Sequence, residues 1–177
     1  MIVVSGNGRS GTSMMMQTLI HLGFKTPAPN FLPEHKDIMD KNPKGFYELY
    51  REVEHGVAHH NWKGQAVKLF PGCLWQTPKE YVSKLIIMRR NREDTIESYR
   101  PIHKILSDSY TPEIIFDANN YILDNYTSDV DHIFINFEEI TSDPRKEIER
   151  VVEFLNLERD ENKMLNAINN IDLCHYY

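Results

Sequence analysis

Apolar and polar positions along the chain alternate between two periods. A short β-branched run, Ile2 to Val4, predicts a strand, and it breaks into a loop holding Gly6, Gly8 and Gly11. From about Ser10 to Leu22 the period becomes helical, with Met15, Leu19 and Leu22 on one stripe and Gly23 as the stop. Residues 24–45 carry Pro27, Pro29, Pro33 and Pro43 and read as a long irregular excursion, the kind of loop more often functional than merely connective. Glu48 to His60 is helical in pattern, Gln65 to Phe70 a strand, and Lys84 to Met88 a buried strand. Helices follow at Arg92–Leu106, with Pro101 as an expected kink, and at Pro112–Tyr126. His132–Phe137 is a further strand, and Asp143–Leu155 and Glu161–Ile168 are further helices. Strands alternating with helices imply an α/β fold of three layers around a mostly parallel, doubly wound sheet. Ligands of such sheets bind beyond the C-terminal ends of the strands.

The first of those ends carries the strongest chemical signal. Strand, glycine loop and helix N-terminus together present backbone N–H groups to an anion, aided by the helix dipole. The spacing from Gly6 to Gly11 fits the first half of the nucleoside-triphosphate P-loop, but Thr12 stands where that motif needs its lysine. The positive charge lies three residues earlier, at Arg9, with hydroxyls at Ser10, Thr12 and Ser13. A second basic loop, Arg89-Arg90-Asn91-Arg92, follows the strand ending at Met88. Asn91 is a candidate N-cap of the next helix, with Asp94 three positions on completing a weak capping box. Guanidinium forks at a helix N-terminus suit phosphate oxygens, although isolated arginine runs are usually solvated ion pairs. Two such loops at adjacent strand ends suggest one ligand with two separated anionic groups.

Composition narrows the setting. At 177 residues and 41% hydrophobic the chain suffices for a single globular domain, taken as residues 1–177. A net charge of −6 argues against general nucleic-acid binding. Cys73 and Cys174 are unpatterned and suggest neither a disulfide framework nor a zinc site. A first strand beginning at residue 2 and no apolar run of membrane-spanning length lead to the expectation of a soluble, cytoplasmic protein. His55 and His59 lie one helical turn apart but lack a third ligand, so no metal is expected.

With both loops in hand, the sequence resembles the sulfotransferases that use 3′-phosphoadenosine 5′-phosphosulfate (PAPS). Arg9-Ser10-Gly11-Thr12-Ser13 is similar to their 5′-phosphosulfate loop, in the arginine form of protein-tyrosine sulfotransferases and many bacterial members. Arg90 and Ser98 have the eight-residue spacing of the pair that holds the 3′-phosphate. Asn42–Glu48, and Asn136–Pro144 followed by Phe154-Leu155, also look like bacterial members, so the resemblance covers about residues 2–157.

The resemblance implies that Gly8, Arg9, Ser10, Gly11, Thr12 and Ser13 bind the donor's phosphosulfate and that Arg90 and Ser98 bind its 3′-phosphate. It implies sulfuryl transfer to a hydroxyl or amine, with the protein supplying position and charge. Val67-Lys68-Leu69-Phe70-Pro71 resembles a Lys-x-His segment of cytosolic members, with Phe70 in the histidine's place, so Lys68 alone carries over. Other branches use a glutamate base, for which Glu48 is the candidate, with Glu34 and His35 in reserve; Lys44 either contacts the donor or faces water. The sequence has no match to the C-terminal glycine-rich loop that many eukaryotic cytosolic members close over the donor, which leaves adenine contacts unassigned, with Trp62, Trp75 and Phe46 as candidate stacking or core aromatics. The acceptor stays open among a glycan, a lipid headgroup, a small alcohol or phenol, and a peptide. A nucleotide kinase of P-loop type, disfavoured by Thr12, and a non-catalytic nucleotide-binding module, favoured by Phe70, are the alternatives.

Overall fold

The computed structural model describes residues 1–27, 47, 62–106 and 109–174. Within them four strands run in the order β1 (Ile2–Gly6), β2 (Ala66–Lys68), β3 (Lys84–Arg89) and β4 (His132–Asn136). They form one sheet ordered β2-β1-β3-β4, and every neighbouring pair is parallel. Val3 pairs with Val67 on one side and Leu85 on the other, while Gly6 lies beside Met88 and Arg89 beside Asn136. The chain steps from β1 outward to β2 and then back across to β3. The crevice between the C-terminal ends of β1 and β3 is therefore the topological switch point, where such sheets receive ligands.

Both faces of the sheet are covered, as a parallel sheet requires. On one face Ile2, Val4, Ile86, Met88 and Ile135 pack with α1 (Thr12–His21) and with two helices from the end of the described chain. Those are α6 (Pro144–Phe154), through Ile148 and Val151, and α7 (Glu161–Cys174), through Met164 and Ile171. On the other face Val3, Val67, Leu85 and Ile87 meet α2 (Pro71–Gln76) and α4 (Pro112–Tyr126) through Leu74, Leu123 and Tyr126. Alternate residues of β1 and β3 thus serve opposite layers, and each large aliphatic side chain fully buried there contributes about 1.5–3 kcal/mol. The α/β, three-layer, parallel reading of the sequence describes this architecture.

The caps show why the helices sit where they do. α1 stops because Gly23 takes a φ of 103°, letting the Phe24 N–H reach the Leu19 carbonyl. Thr111 and Asp143 accept from the backbone N–H groups of Ile114 and Lys146, each with proline at the first helical position. α3 (Arg92–Leu106) starts at Asn91, whose side chain accepts from the Asp94 N–H at 3.1 Å, and continues through Pro101. The expected capping box is not closed by Asp94. The Asn91 N–H is taken at 2.9 Å by Glu138, from the short helix α5 (Phe137–Ser142).

Other expectations shift at element ends. The strand drawn to Phe70 ends at Lys68, because Phe70 becomes the N-cap of α2 with Pro71 following. The strand drawn to Phe137 ends at Asn136, and Phe137 opens α5. The last helix continues past Ile168 to Cys174. The helix expected over Glu48–His60 lies outside the described residues.

Candidate functional site

The loop after β1 is a closed turn. The Asn7 carbonyl accepts both the Ser10 N–H at 3.1 Å and the Ser10 hydroxyl at 2.7 Å, and Ser10 is buried. Arg9 and Gly11, on either side of Ser10, have φ values of 70° and 92°. Left-handed residues interleaved with ordinary ones turn successive N–H groups toward one side, which is how backbone anion nests are built. Gly11 is also the N-cap of α1, whose first turn has neither a side-chain cap nor an acidic residue. Its N–H groups and dipole are left facing the crevice. A side chain at Gly8 would press on the Tyr99 ring at 3.2 Å.

The loop after β3 lies against this turn. Arg90 donates through Nη1 to the Arg9 carbonyl at 3.0 Å, and its guanidinium lies 4.5 Å from the centre of the Phe137 ring. Its Nε is buried and has no hydrogen-bond partner, which in a native structure demands an explanation. The Arg9 side chain donates through Nε to Ser98 Oγ at 3.0 Å. Burial, and then the neighbouring charge of Arg90, lower the pKa of the Arg9 guanidinium. Among the described residues neither Arg9 nor Arg90 has a carboxylate within salt-bridge distance. Two cations held close together without an acid form a site that favours an anion.

The other arginines behave differently. Arg89 pairs with Asp124 at 2.5 Å and Arg92 with Asp117 at 3.1 Å, both acids on α4. The Arg89-Arg90-Asn91-Arg92 cluster therefore divides: two members are ion pairs and only Arg90 turns to the crevice. Sequence alone does not separate them, because the division depends on which side chains α4 presents across the sheet edge.

Lys68, at the end of β2, is almost fully buried and donates to Ser13 Oγ in the first turn of α1 at 3.0 Å. The Phe70 ring stands 5.7 Å from its ammonium. Gly8, Arg9, Ser10, Gly11, Thr12, Ser13, Lys68, Arg90 and Ser98 are thus gathered at the C-terminal ends of β1, β2 and β3. Thr12 is buried within the first turn, its methyl group facing Gly6. Glu48, Glu34, His35, Lys44 and Phe46 lie outside the described residues, as do His55 and His59. Tyr47 is described and packs against the α1 face of the core. Of the candidate stacking aromatics, Trp62 is buried in the core on the α2–α4 face, whereas Trp75 stands 57% exposed on α2. Asn7, Asn120, Phe137 and Glu138 were not singled out from sequence, although Phe137 and Glu138 fall inside the Asn136–Pro144 stretch. Among the described residues no cluster of His, Cys, Asp or Glu is arranged to hold a metal ion, and no helix is long and apolar enough to cross a membrane.

The fold is α/β with a parallel sheet, consistent with a nucleotide-binding architecture, and solved structures resemble it. No family model and no curated protein matches the sequence. Mouse sulfotransferase SULT7A1 complexed with PAP is similar over 97% of this chain and 63% of its own length, with a TM-score of 0.59 and 14% identity. The sulfotransferase domain of the Synechococcus PCC 7002 olefin synthase is similar over 94% of this chain and 76% of its own, with a TM-score of 0.57 and 17% identity. Retinol dehydratase in complex with androsterone and inactive cofactor PAP gives 97% and 64%, a TM-score of 0.53 and 14% identity. At these identities the likeness is one of fold alone, shared with sulfotransferase domains. The chain spans less than two thirds of the mouse enzyme and of retinol dehydratase.

Proposed function

We propose that this chain, taken as one domain over residues 1–177, is a PAPS-dependent sulfotransferase. The observation that carries the reading is the paired guanidinium site. Arg9 and Arg90 sit beside a nested helix N-terminus, without acidic partners among the described residues, and Arg90 keeps a buried, unpartnered Nε. An ordinary nucleoside triphosphate needs a lysine following Gly11, and Thr12 supplies none. A 3′,5′-bisphosphorylated adenosine has two anionic groups to place, one per loop.

In this reading the amides of residues 9–13, with Arg9 and the hydroxyls of Thr12 and Ser13, receive the phosphosulfate, and Arg90 with Ser98 receives the 3′-phosphate. Arg9, bonded to Ser98 Oγ, stands between the two groups. Lys68 works through the same first turn as Ser13 and neutralises charge as the sulfuryl group moves. PAPS supplies an activated sulfuryl group: the acceptor oxygen or nitrogen bonds to sulfur as the sulfur–oxygen bond to the 5′-phosphate breaks. The acceptor's proton passes to a base, for which Glu48 is the candidate, and adenosine 3′,5′-bisphosphate leaves. The acceptor belongs to the class of hydroxyl or amine compounds.

Calorimetric titration with adenosine 3′,5′-bisphosphate, ADP and ATP tests this. The expected result is preference for the bisphosphate; preference for ATP, or no binding at all, overturns it. A non-catalytic nucleotide-binding module is the second reading, favoured by Phe70 beside Lys68 where a histidine base would stand. It predicts bisphosphate binding without turnover across a broad acceptor panel.

A further inference from the structure

We propose that Asn120, on α4 and outside both anion loops, is a positioning residue. It fixes the spacing between the loops and so decides whether a single ligand can be held by both. This rests on the donor reading above and extends it to a residue that touches no ligand.

Asn7 is the first residue of the β1 loop, and its carbonyl shapes the turn by accepting both polar hydrogens of Ser10. Its side-chain amide donates to Asn120 Oδ1 at 3.1 Å. The same oxygen accepts from Arg89 Nη1 at 2.9 Å. Arg89 is the last residue of β3 and precedes Arg90. A guanidinium only donates, so the Asn120 atom facing it must be the carbonyl oxygen, and the Asn7 atom facing that oxygen must be the NH2 group. The chemistry of the partners thus sets the orientation of both amides.

Arg89 is itself held, by Asp124 at 2.5 Å and by the Phe134 ring at 4.9 Å. Asn120 therefore ties the glycine loop to a side chain already anchored on two sides. On the crevice side the loops are joined by the Arg90 bond to the Arg9 carbonyl. Asn120 supplies the second tie, from behind. With the Arg9 bond to Ser98 on α3, these attachments on two sides of the loop fix both its separation and its tilt.

A change in loop separation matters to a ligand that spans both loops and hardly at all to one that uses a single loop. The test compares adenosine 3′,5′-bisphosphate with adenosine 5′-monophosphate by calorimetry, on wild type, Asn120→Leu, Asn120→Asp and Asn7→Ala. Asn120→Leu removes the acceptor at similar volume and should weaken the bisphosphate roughly tenfold or more, the monophosphate by less than roughly threefold. Asn120→Asp keeps an acceptor oxygen for both donors and, with its added charge screened at high ionic strength, should restore the wild-type ratio. Asn7→Ala cuts the same tie from the loop side and decides the matter if Asn120→Leu does not fold. Equal losses for both ligands, or a ratio that Asn120→Asp fails to restore in a protein with a native melting profile, overturn the positioning role. A wild type that does not prefer the bisphosphate overturns the donor reading itself, a result distinct from the other two.

Discussion

Replacing Gly11 with alanine tests fold and site together. Gly11 holds a φ of 92°, and a Cβ there would stand 2.7 Å from Phe137 Cδ2, 3.3 Å from Met88 Cε and 3.4 Å from Met14 Cε. The methionine ends are flexible and yield. The phenyl ring yields only by carrying along the Arg90 guanidinium that lies 4.5 Å from its centre. The left-handed backbone costs about 1–2 kcal/mol for a residue with a Cβ. The overlap with Phe137 adds about 1–3 kcal/mol if the ring must shift. Together they predict a loss of about 2–5 kcal/mol, or roughly 4–20 °C in Tm for a chain of this size. Gly23→Ala is the matched control. Its φ is 103°, but the nearest atom is the far end of Lys163 at 3.5 Å, so only the backbone contribution of about 1–2 kcal/mol remains. Urea denaturation measures both losses, and titration with adenosine 3′,5′-bisphosphate reads the site. Gly11→Ala should weaken that ligand because Arg90 moves with its platform, and Gly23→Ala should leave affinity unchanged. Equal destabilisation by the two variants, or unchanged affinity in Gly11→Ala, would refute the reasoning.

Arg90→Ala should lower affinity for the bisphosphate about 10- to 100-fold, the worth of a lost charge-assisted hydrogen bond, while ADP binding changes little. Arg9→Gly should raise the unfolding free energy by about 1 kcal/mol, since it relieves a left-handed arginine, and yet abolish detectable bisphosphate binding. A variant of Arg9 that loses both stability and binding would contradict that trade. Tyr126 donates to the Thr77 carbonyl at 2.7 Å, and burial, with a smaller contribution from Glu80, pushes its pKa up from 10.0 to about 12. The raised value favours the neutral phenol in the folded state. Its stabilising contribution is therefore complete below pH 10 and lost as pH rises through 12, up to about 2–3 kcal/mol. Urea midpoints from pH 9 to 12 should fall less steeply in Tyr126→Phe than in wild type, and parallel curves would remove Tyr126 from the account.

Much of the architecture is written locally. The helical stripe Met15–Leu19–Leu22 with Gly23 as its stop is buried where the pattern places it, and the helices at Arg92–Leu106 and Pro112–Tyr126 have the expected limits. These elements carry their own start and stop chemistry, in Asn91, Thr111-Pro112 and Gly23, so neighbouring residues suffice to fix them. The ends that moved are those where a tertiary neighbour competes with the local signal. Phe70 caps a helix instead of extending β2, and Glu138 takes the Asn91 N–H that a capping box would have left to Asp94.

The candidate site divides along the same line. The residue types, their order and their spacing, from Gly6 through Ser13 and from Arg90 to Ser98, are properties of the sequence. They follow from what backbone anion binding chemically requires. Which arginine faces the crevice is not, because Arg89, Arg90 and Arg92 are equivalent until α4 brings Asp124 and Asp117 to two of them. The contacts of Arg9 with Ser98, Arg90 with Phe137, and Asn120 with both loops join residues from about 31 to 113 positions apart and exist only once the parallel sheet has aligned its strand ends. Local sequence sets the conformation of a loop; the distance between two loops is set by the sheet that carries them.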